Sequence, residues 1–465
     1  MASPRAESRN LEAVVNDPAP SGAVRLEALR ELAREYAGGP AADAAEGLGS
    51  PVRRTGESNN HVHTIYSFSP YTPAMAALEC RRAGLEAAGS VDHDSVAAAS
   101  EMREACALLG LGAVTGCELR VSFKDGPHAA RKINNPDSPG LVYMTIQGLP
   151  ESGSGRVESF LKPIRARRRR RTERMCGAAS DMLAAAGLER IDFETEVVAR
   201  SKAAEGGGIT ERHLLAAVAR RLLAAYGAGP GLIEGLRRAL GVEASPRAAA
   251  LLSETESPHL LYDLIGLLKT GFLDRIFIQP DEIECPPARE VVALALAAGA
   301  VPAYAYLGDV GESPTGDKKA EKFEDEFLEE LFEELADLGY PAVTYMPPRN
   351  TPAQLERIRT LCASRGFMEI SGVDINQSRQ SFNCPELRRP EFRHLGDSTW
   401  ALVAHEALSN ADADAGLFSP RGPLASLPLR ERMAAYAAAG RALDPARPER
   451  AGDILSELRK GRFTR

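Results

Sequence analysis

Apolar and polar positions alternate along the chain with three different rhythms. Near the N-terminus Leu26, Leu29, Leu32 and Ala33 recur at helical spacing, which predicts a helix stopped by Gly38, Gly39 and Pro40. From Glu57 the rhythm changes to short β-prone runs alternating with helical ones. Strands are predicted over 60–65, 85–91, 112–121 and 141–148, with helices opening at Pro73 and Ala97 between the first three. Residues 156–275 are helical nearly throughout, with apolar Leu214, Leu215, Val218, Leu222 and Leu223 on one face. The strand–helix alternation resumes near 274–278. It continues with strands at 301–307, 342–346 and 368–373 and helices at 291–298, 323–338 and 352–364. From Thr399 the chain is helical again. The alternation predicts an α/β fold, with the long helical stretch inserted into it. The boundaries drawn are 1–56 for a helical N-terminal extension, 57–155 and 276–398 for two parts of a barrel, 156–275 for a helical insertion and 399–465 for a helical C-terminal extension. The N-terminal extension is expected either to cap the barrel bottom or to make an oligomer contact.

The polar residues at strand ends change the picture. The chain has 8 histidines, and His61, His63 and His93 fall in the first two strand ends. Histidines at i and i+2 on a strand share a face, and imidazole is the commonest transition-metal ligand. Alone, such a pair reads as structural. Asp92 and Asp94 around His93, Glu118 on the third strand and Asp374 after the last make metal binding the better reading. Asp92 is read as orienting an imidazole and Asp94 as a helix cap. In parallel α/β folds the carboxyl ends of strands are where sites form.

Composition sets limits on the rest. At 465 residues, with 44% hydrophobic and 26% charged, the chain is globular and too long for one ordinary core. A net charge of −8 argues against long nucleic acid or an anionic membrane as partner. No run has the length of a membrane span, and the first residues lack a signal-peptide core. Seven scattered cysteines without a CxxC pair fit a reducing cytoplasm, each as a small core filler.

The ordered series His61, His63, Thr64, Ser67, Thr72, Pro73, then Ala83-Gly84-Leu85, Asp92-His93-Asp94, Gly116 and Glu118 resembles the opening of the PHP (polymerase and histidinol phosphatase) family. That opening reads HxHTxxSDGxxTP, AGL, DHD and GxE. The match is dense over 58–122 and sparser over 290–380. The resemblance implies a distorted seven-stranded β/α barrel of the PHP type. It also implies two or three divalent metals and hydrolysis of phosphate esters. Thr210-Glu211-Arg212-His213-Leu214 is similar to a short Arg-Pro-His-like segment in relatives with a helical insertion.

Carried over by position, His61, His63, Glu118 and Asp374 form one complete metal position suited to Zn, Mn or Fe. A second metal would rest on His93, with Glu118 bridging and Asn376 giving a carbonyl oxygen. Four positions depart from the family: Phe68 stands for an aspartate, and Tyr143 (with Gln147 nearby), Tyr304 and Asn376 stand for histidines. His93 is the candidate proton donor if it does not bind metal. Arg379 is placed to hold a phosphate bidentately, with a surface ion pair as the plain alternative. Lys318, Lys319 and Asp309 are weaker candidates. His128, His259, His394 and His405 are read as surface or cap residues, His405 on a core-facing helix. The run of six arginines within 165–171, followed by Arg174, reads as a solvated helix face, with a polyanion groove as the alternative. The functional expectation is a metal-dependent phosphoesterase acting on a small phosphate ester or short nucleotide. Its rivals are a non-catalytic metal- or ligand-binding protein and a mononuclear hydrolase of a non-phosphate substrate.

Overall fold

The computed structural model describes residues 4–38, 55–310 and 322–464. Lys318, Lys319 and the stop at Gly39 and Pro40 lie outside them. Seven strands, β1 (Ser58–Val62), β2 (Ala87–His93), β3 (Gly112–Ser122), β4 (Leu141–Gln147), β5 (Val301–Ala305), β6 (Ala342–Tyr345) and β7 (Met368–Ser371), lie side by side in chain order. The segment after β7 closes on β1: Ile375 N donates to His61 O (3.0 Å) and His63 N to Ile375 O (2.9 Å). The result is an α/β fold around a nearly closed seven-stranded barrel.

Six strands run the same way and β4 alone runs against both neighbours. The cause is local. Residues 123–140 between β3 and β4 contain no helix, and a strand can turn back without a helical crossover only into an antiparallel neighbour. The reversal puts Tyr143, early in β4, beside Arg120 near the far end of β3, while Gln147 falls beside Val301 at the start of β5. Thr145 is the residue opposite Glu118, and Gln147 lies two positions deeper in the barrel, where its amide donates to Thr145 Oγ1 (3.2 Å). The strand expected near 274–278 is absent, because β4 pairs directly with β5. Leu273–Arg275 is a short 3-10 turn, and Leu273 and Ile276 are buried among the inserted helices.

Helices α1 (Pro4–Val15) and α2 (Gly22–Gly38) pack on α3 (Pro73–Arg82) and α4 (Ala99–Leu109), outside the barrel wall rather than under it. Thr72 caps α3 by accepting from Met75 N, and its own hydroxyl donates to Val15 O (2.6 Å). Between β4 and β5 come α5 (Glu151–Ala185), α6 (Glu211–Tyr226), α7 (Pro230–Leu240), α8 (Pro246–Leu252) and α9 (Leu260–Gly271), with a core of their own around Leu183, Val218, Leu236 and Leu268. Helix α5 opens at Glu151, inside the stretch assigned to the first part of the barrel. After α10 (Ala288–Ala297), α11 (Leu328–Leu338) and α12 (Pro352–Arg365) comes α13 (Arg393–Ala411). It packs Trp400, Ala401 and Leu402 against the first residues of the strands, Ala87, Val301, Ala342 and Met368. This closes the bottom of the barrel, with α14 (Leu429–Ala442) and α15 (Ala451–Arg459) behind it. The open end is therefore the carboxyl end of six strands.

The arginine run proves to be two-faced. Arg167 and Arg169 are partly exposed and meet Asp281 and Glu194 at the surface. Arg168 and Arg171, on the other face, are 3% and 5% exposed. Arg168 donates to Asp94 Oδ2 (2.6 Å) and Glu211 Oε2 (2.7 Å). Arg171 holds Glu284 (2.7 Å) and Glu211, and Arg120 of β3 joins both carboxylates. The inward face is thus neither solvated nor a polyanion groove. It bolts α5 and α6 to β3 and to the loop after β2. Arginine suits the task because its planar fork bonds two carboxylates at once.

Candidate metal centre

β1 and the bridge to Ile375 bring the rings of His61 and His63 to 5.2 Å, and His93, last in β2, lies 4.5 Å from His63. Glu118 is paired in register with His93 and sits well inside β3 rather than at its end. Its carboxylate reaches all three imidazoles: 3.6 Å from His61 Nε2, 3.7 Å from His63 Nε2 and 2.9 Å from His93 Nδ1. Asp374 approaches from beyond β7, with Oδ1 3.4 Å from His63 Nε2. Two overlapping groups have donor atoms close enough for one ion: His61, His63 and Asp374, and His63, His93 and Glu118.

Hydrogen bonding fixes which atom of His63 is available. Ser67 Oγ donates to Asp92 Oδ1 (2.6 Å), so toward His63 Nδ1 (3.2 Å) it can only accept. Thr64 also gives Asp92 its N–H and hydroxyl, both at 2.6 Å. Burial pushes the Asp92 carboxyl up, and these three donors oppose it. The proton of His63 is therefore on Nδ1, and Nε2 is a bare lone pair with no hydrogen-bond partner among the described residues, on a ring 1% exposed. Burial, reinforced by neighbouring His93, lowers this imidazole to about 3 against the pull of Asp374 and Glu118, so it is neutral at neutral pH. For Glu118, burial acts upward, but the imidazoles of His93 and His61 outweigh it and hold the carboxyl down at about 2.

A bare nitrogen lone pair facing two carboxylates is an arrangement that a cation, and no hydrogen-bond donor present, satisfies. Leaving such an acceptor unpaired costs about 1–3 kcal/mol. Asn376 adds a further unspent acceptor: its Nδ2 donates to Asp374 Oδ1 (2.6 Å) and its buried Oδ1 has no partner. Neutral imidazoles, carboxylates and an amide oxygen form a donor set that fits Zn²⁺, Mn²⁺ or Fe²⁺.

The loop after β7 is seated against β1 with no space to spare. A Cβ on Gly372 would lie 2.6 Å from His61 Cβ and 2.8 Å from His61 N. Gly372→Ala is expected to displace His61 at a cost of about 1–3 kcal/mol, the usual range for overpacking. Chelator-competition titration should show weaker metal binding in a protein that still unfolds cooperatively.

The other predicted residues fall in different places. Tyr143 stays at the site, its ring 6.0 Å from His93. Tyr304 is fully buried in the core and donates to Glu324 (3.0 Å). Phe68 turns away and packs on His213 (5.0 Å) and Tyr262 (5.8 Å) of the insertion, with φ at +86°. A bulky side chain rarely adopts that conformation, and the two ring contacts hold it there. His213 accepts from Thr210 N (3.0 Å) in the cap of α6, and Glu211 belongs to the arginine bolt. Asp309 accepts from Phe323 N. Among the remaining histidines, His128 is buried against Glu334 and His405 accepts from Leu417 N inside the core, while His394 lies 3.3 Å from Glu369.

Above the cluster an open cleft of about 940 Å³ lies between the barrel mouth and α6, α8 and α9, with His61, His93, Glu118 and Asp374 in its wall. Arg212, Arg247 and Lys269 line it, and none has a carboxylate at ion-pairing distance among the described residues. Arg379 also lines it, but its guanidinium is spent on Asp263 (2.9 Å) and Glu254 (3.1 Å). Arg247, Lys269 and His259 had no sequence signal as site residues, being lone polar positions on or beside amphipathic helices.

No protein-family model matches the chain, and no curated protein matches it. Among solved structures, a "putative metal-dependent phosphoesterase" from Bifidobacterium adolescentis is similar with a TM-score of 0.45 at 22% identity, over 70% of this chain and 88% of that one. An amidohydrolase from Chromobacterium violaceum, with bound sulfate and no metal, is similar with a TM-score of 0.45 at 17% identity, over 73% of this chain and 96% of that one. Likeness at this level carries nothing about chemistry, which has to come from the side chains of this chain.

Proposed function

We propose that this chain is a hydrolase dependent on one divalent metal and acting on a small phosphate ester. The observation that carries the metal is the buried, unpartnered Nε2 of His63 facing Glu118 and Asp374. The same atom argues for one ion. Both candidate groups need His63, and with Nδ1 spent on Ser67 it has a single lone pair to give. His61, His63, Glu118 and Asp374 would hold that ion. When bound, it supplies Lewis acidity and a water of lowered pKa.

The remaining work falls to the chain itself. Asp92, through Ser67, holds His63 in the tautomer that leaves Nε2 bare. His93 spends Nδ1 on Glu118 and lines the cavity, so Nε2 is its atom for a leaving oxygen. Arg212, Arg247 and Lys269 bring positive charge to the cavity wall, alongside the carboxylates of Asp137 and Asp263, and are the groups that would meet an anionic substrate. The inserted helices α6, α8 and α9 form one wall of the cleft above the site.

A non-catalytic ligand-binding protein is the second reading. It is favoured by the loss of family ligands at Tyr304, buried out of reach, and at Phe68, turned onto the insertion. Turnover separates the two. A panel of phosphate mono- and diesters under Mn²⁺, Zn²⁺ or Fe²⁺ should include at least one substrate. For it, Lys269→Ala and Arg247→Ala should raise KM on the order of tenfold each, as loss of a charge-assisted contact of about 1.5 kcal/mol implies. Tight metal binding with no turnover across the panel would establish the non-catalytic reading instead.

A further inference from the structure

The loop that carries Asp374 is held from two sides: Val373 and Ile375 bond to Asn59, His61 and His63 of the barrel, and the turn that follows is held by the inserted helices. Within it, Gln380 Oε1 accepts from Asn376 N (2.7 Å) and Gln377 N (2.9 Å), which makes 376–380 a single braced turn. The inserted helices grip that turn at three points. Arg212 of α6 donates to Asn376 O (3.0 Å), and His259, just before α9, bonds Ser378 Oγ through Nδ1 (2.7 Å). Asp263 of α9 takes Arg379 by both oxygens, Oδ1 to Nε at 2.9 Å and Oδ2 to Nη2 at 3.0 Å, and Glu254 adds a contact of 3.1 Å. An exposed ion pair is worth little, roughly 0–1 kcal/mol. Here Arg379 is 35% exposed and Asp263 7%, and what sets the pair apart is its two-pronged geometry. At the other end of the braced turn, Asn376 Nδ2 holds Asp374 Oδ1, which lies 3.4 Å from the bare Nε2 of His63.

We infer that the helical insertion sets the metal affinity of the barrel. Asp263 and His259 are positioning residues that act through Arg379 and Ser378 to hold Asp374 and Asn376 against His63. Arg379 accordingly serves as the hinge pin between the two parts, in place of the phosphate contact that its sequence position suggested. The inference rests on Asp374 being a metal ligand.

The test is titration of metal-free protein with Co²⁺ against a chromophoric chelator, with the visible spectrum of the bound ion recorded in parallel. Asp263→Asn and Arg379→Gln should each weaken binding on the order of tenfold, the effect of removing a group that orients a ligand. Both should alter the Co²⁺ spectrum, since the turn that bears Asn376 no longer braces Asp374. Asp263→Glu, which keeps the charge, should bind nearly as the parent does. The reversed pair Asp263→Arg with Arg379→Asp should recover most of the loss. His259→Phe removes only the Ser378 bond and provides a milder variant should the others unfold. Affinity and spectrum equal to the parent in folded Asp263→Asn, Arg379→Gln and His259→Phe would overturn the inference and leave the metal reading intact. Failure of the parent chain to bind Co²⁺ would overturn the metal reading on which it rests.

Discussion

Glu118→Gln is expected to abolish tight metal binding while leaving the metal-free fold in place. Glu118 is within 3.7 Å of all three imidazoles, and its carboxyl is held ionised by them. Breaking a buried charged set by removing one partner costs about 3–5 kcal/mol, which converts to at least about a hundredfold in metal affinity. Without metal the substitution removes a buried negative charge and keeps the shape. It also takes the charged partner from His93 Nδ1, so the thermal midpoint of the metal-free protein should fall, and the upward shift on adding metal should vanish. A Glu118→Gln protein that still gains stability from stoichiometric Zn²⁺ or Mn²⁺ would mean the ion sits elsewhere.

The second large effect concerns the arginine bolt. Arg168→Ala leaves Asp94 and Glu211 buried without their shared cation. The expected loss is about 3–5 kcal/mol of unfolding free energy. Arg169→Ala, one residue along on the exposed face, should cost less than about 1 kcal/mol. Urea denaturation of the two variants measures the contrast directly. Because Asp94 follows His93 immediately and Glu211 precedes Arg212, the Arg168 variant should also loosen the helical wall of the cleft above the metal centre, seen as faster proteolysis within 186–210.

What was legible in the sequence followed local rules. The pairing of His61 with His63, the placing of His93 at a strand end and the start of α3 at Pro73 behind Thr72 depend on side-chain alternation and cap chemistry over a few residues. Asp374 was legible because parallel strands send their carboxyl ends to one rim, whereas Glu118, inside β3 rather than at its end, was legible through the Gly116-x-Glu118 spacing. The reversal of β4 was not legible, since strand direction is set by which neighbour a strand pairs with and not by its own residues. The arginine run shows the same limit. Six like charges in 165–171 look solvated, yet those at 168 and 171 find Asp94, Glu211 and Glu284 from far along the chain. Arg247, His259 and Lys269 became site residues only when α8 and α9 folded over the barrel mouth. Arg379 was read toward a phosphate because its future partner, Asp263, lies more than a hundred residues away in sequence.

The central claim is that His63 Nε2, Glu118 and Asp374 face one another across a place for a single divalent ion. The direct test is elemental analysis of protein purified without chelator and then dialysed against metal-free buffer. One equivalent of Zn, Mn or Fe per chain, falling to none in His63→Ala, is the predicted result. Metal-free protein that takes up no ion on titration, or a parent chain and a His63→Ala variant with equal metal content, would contradict it.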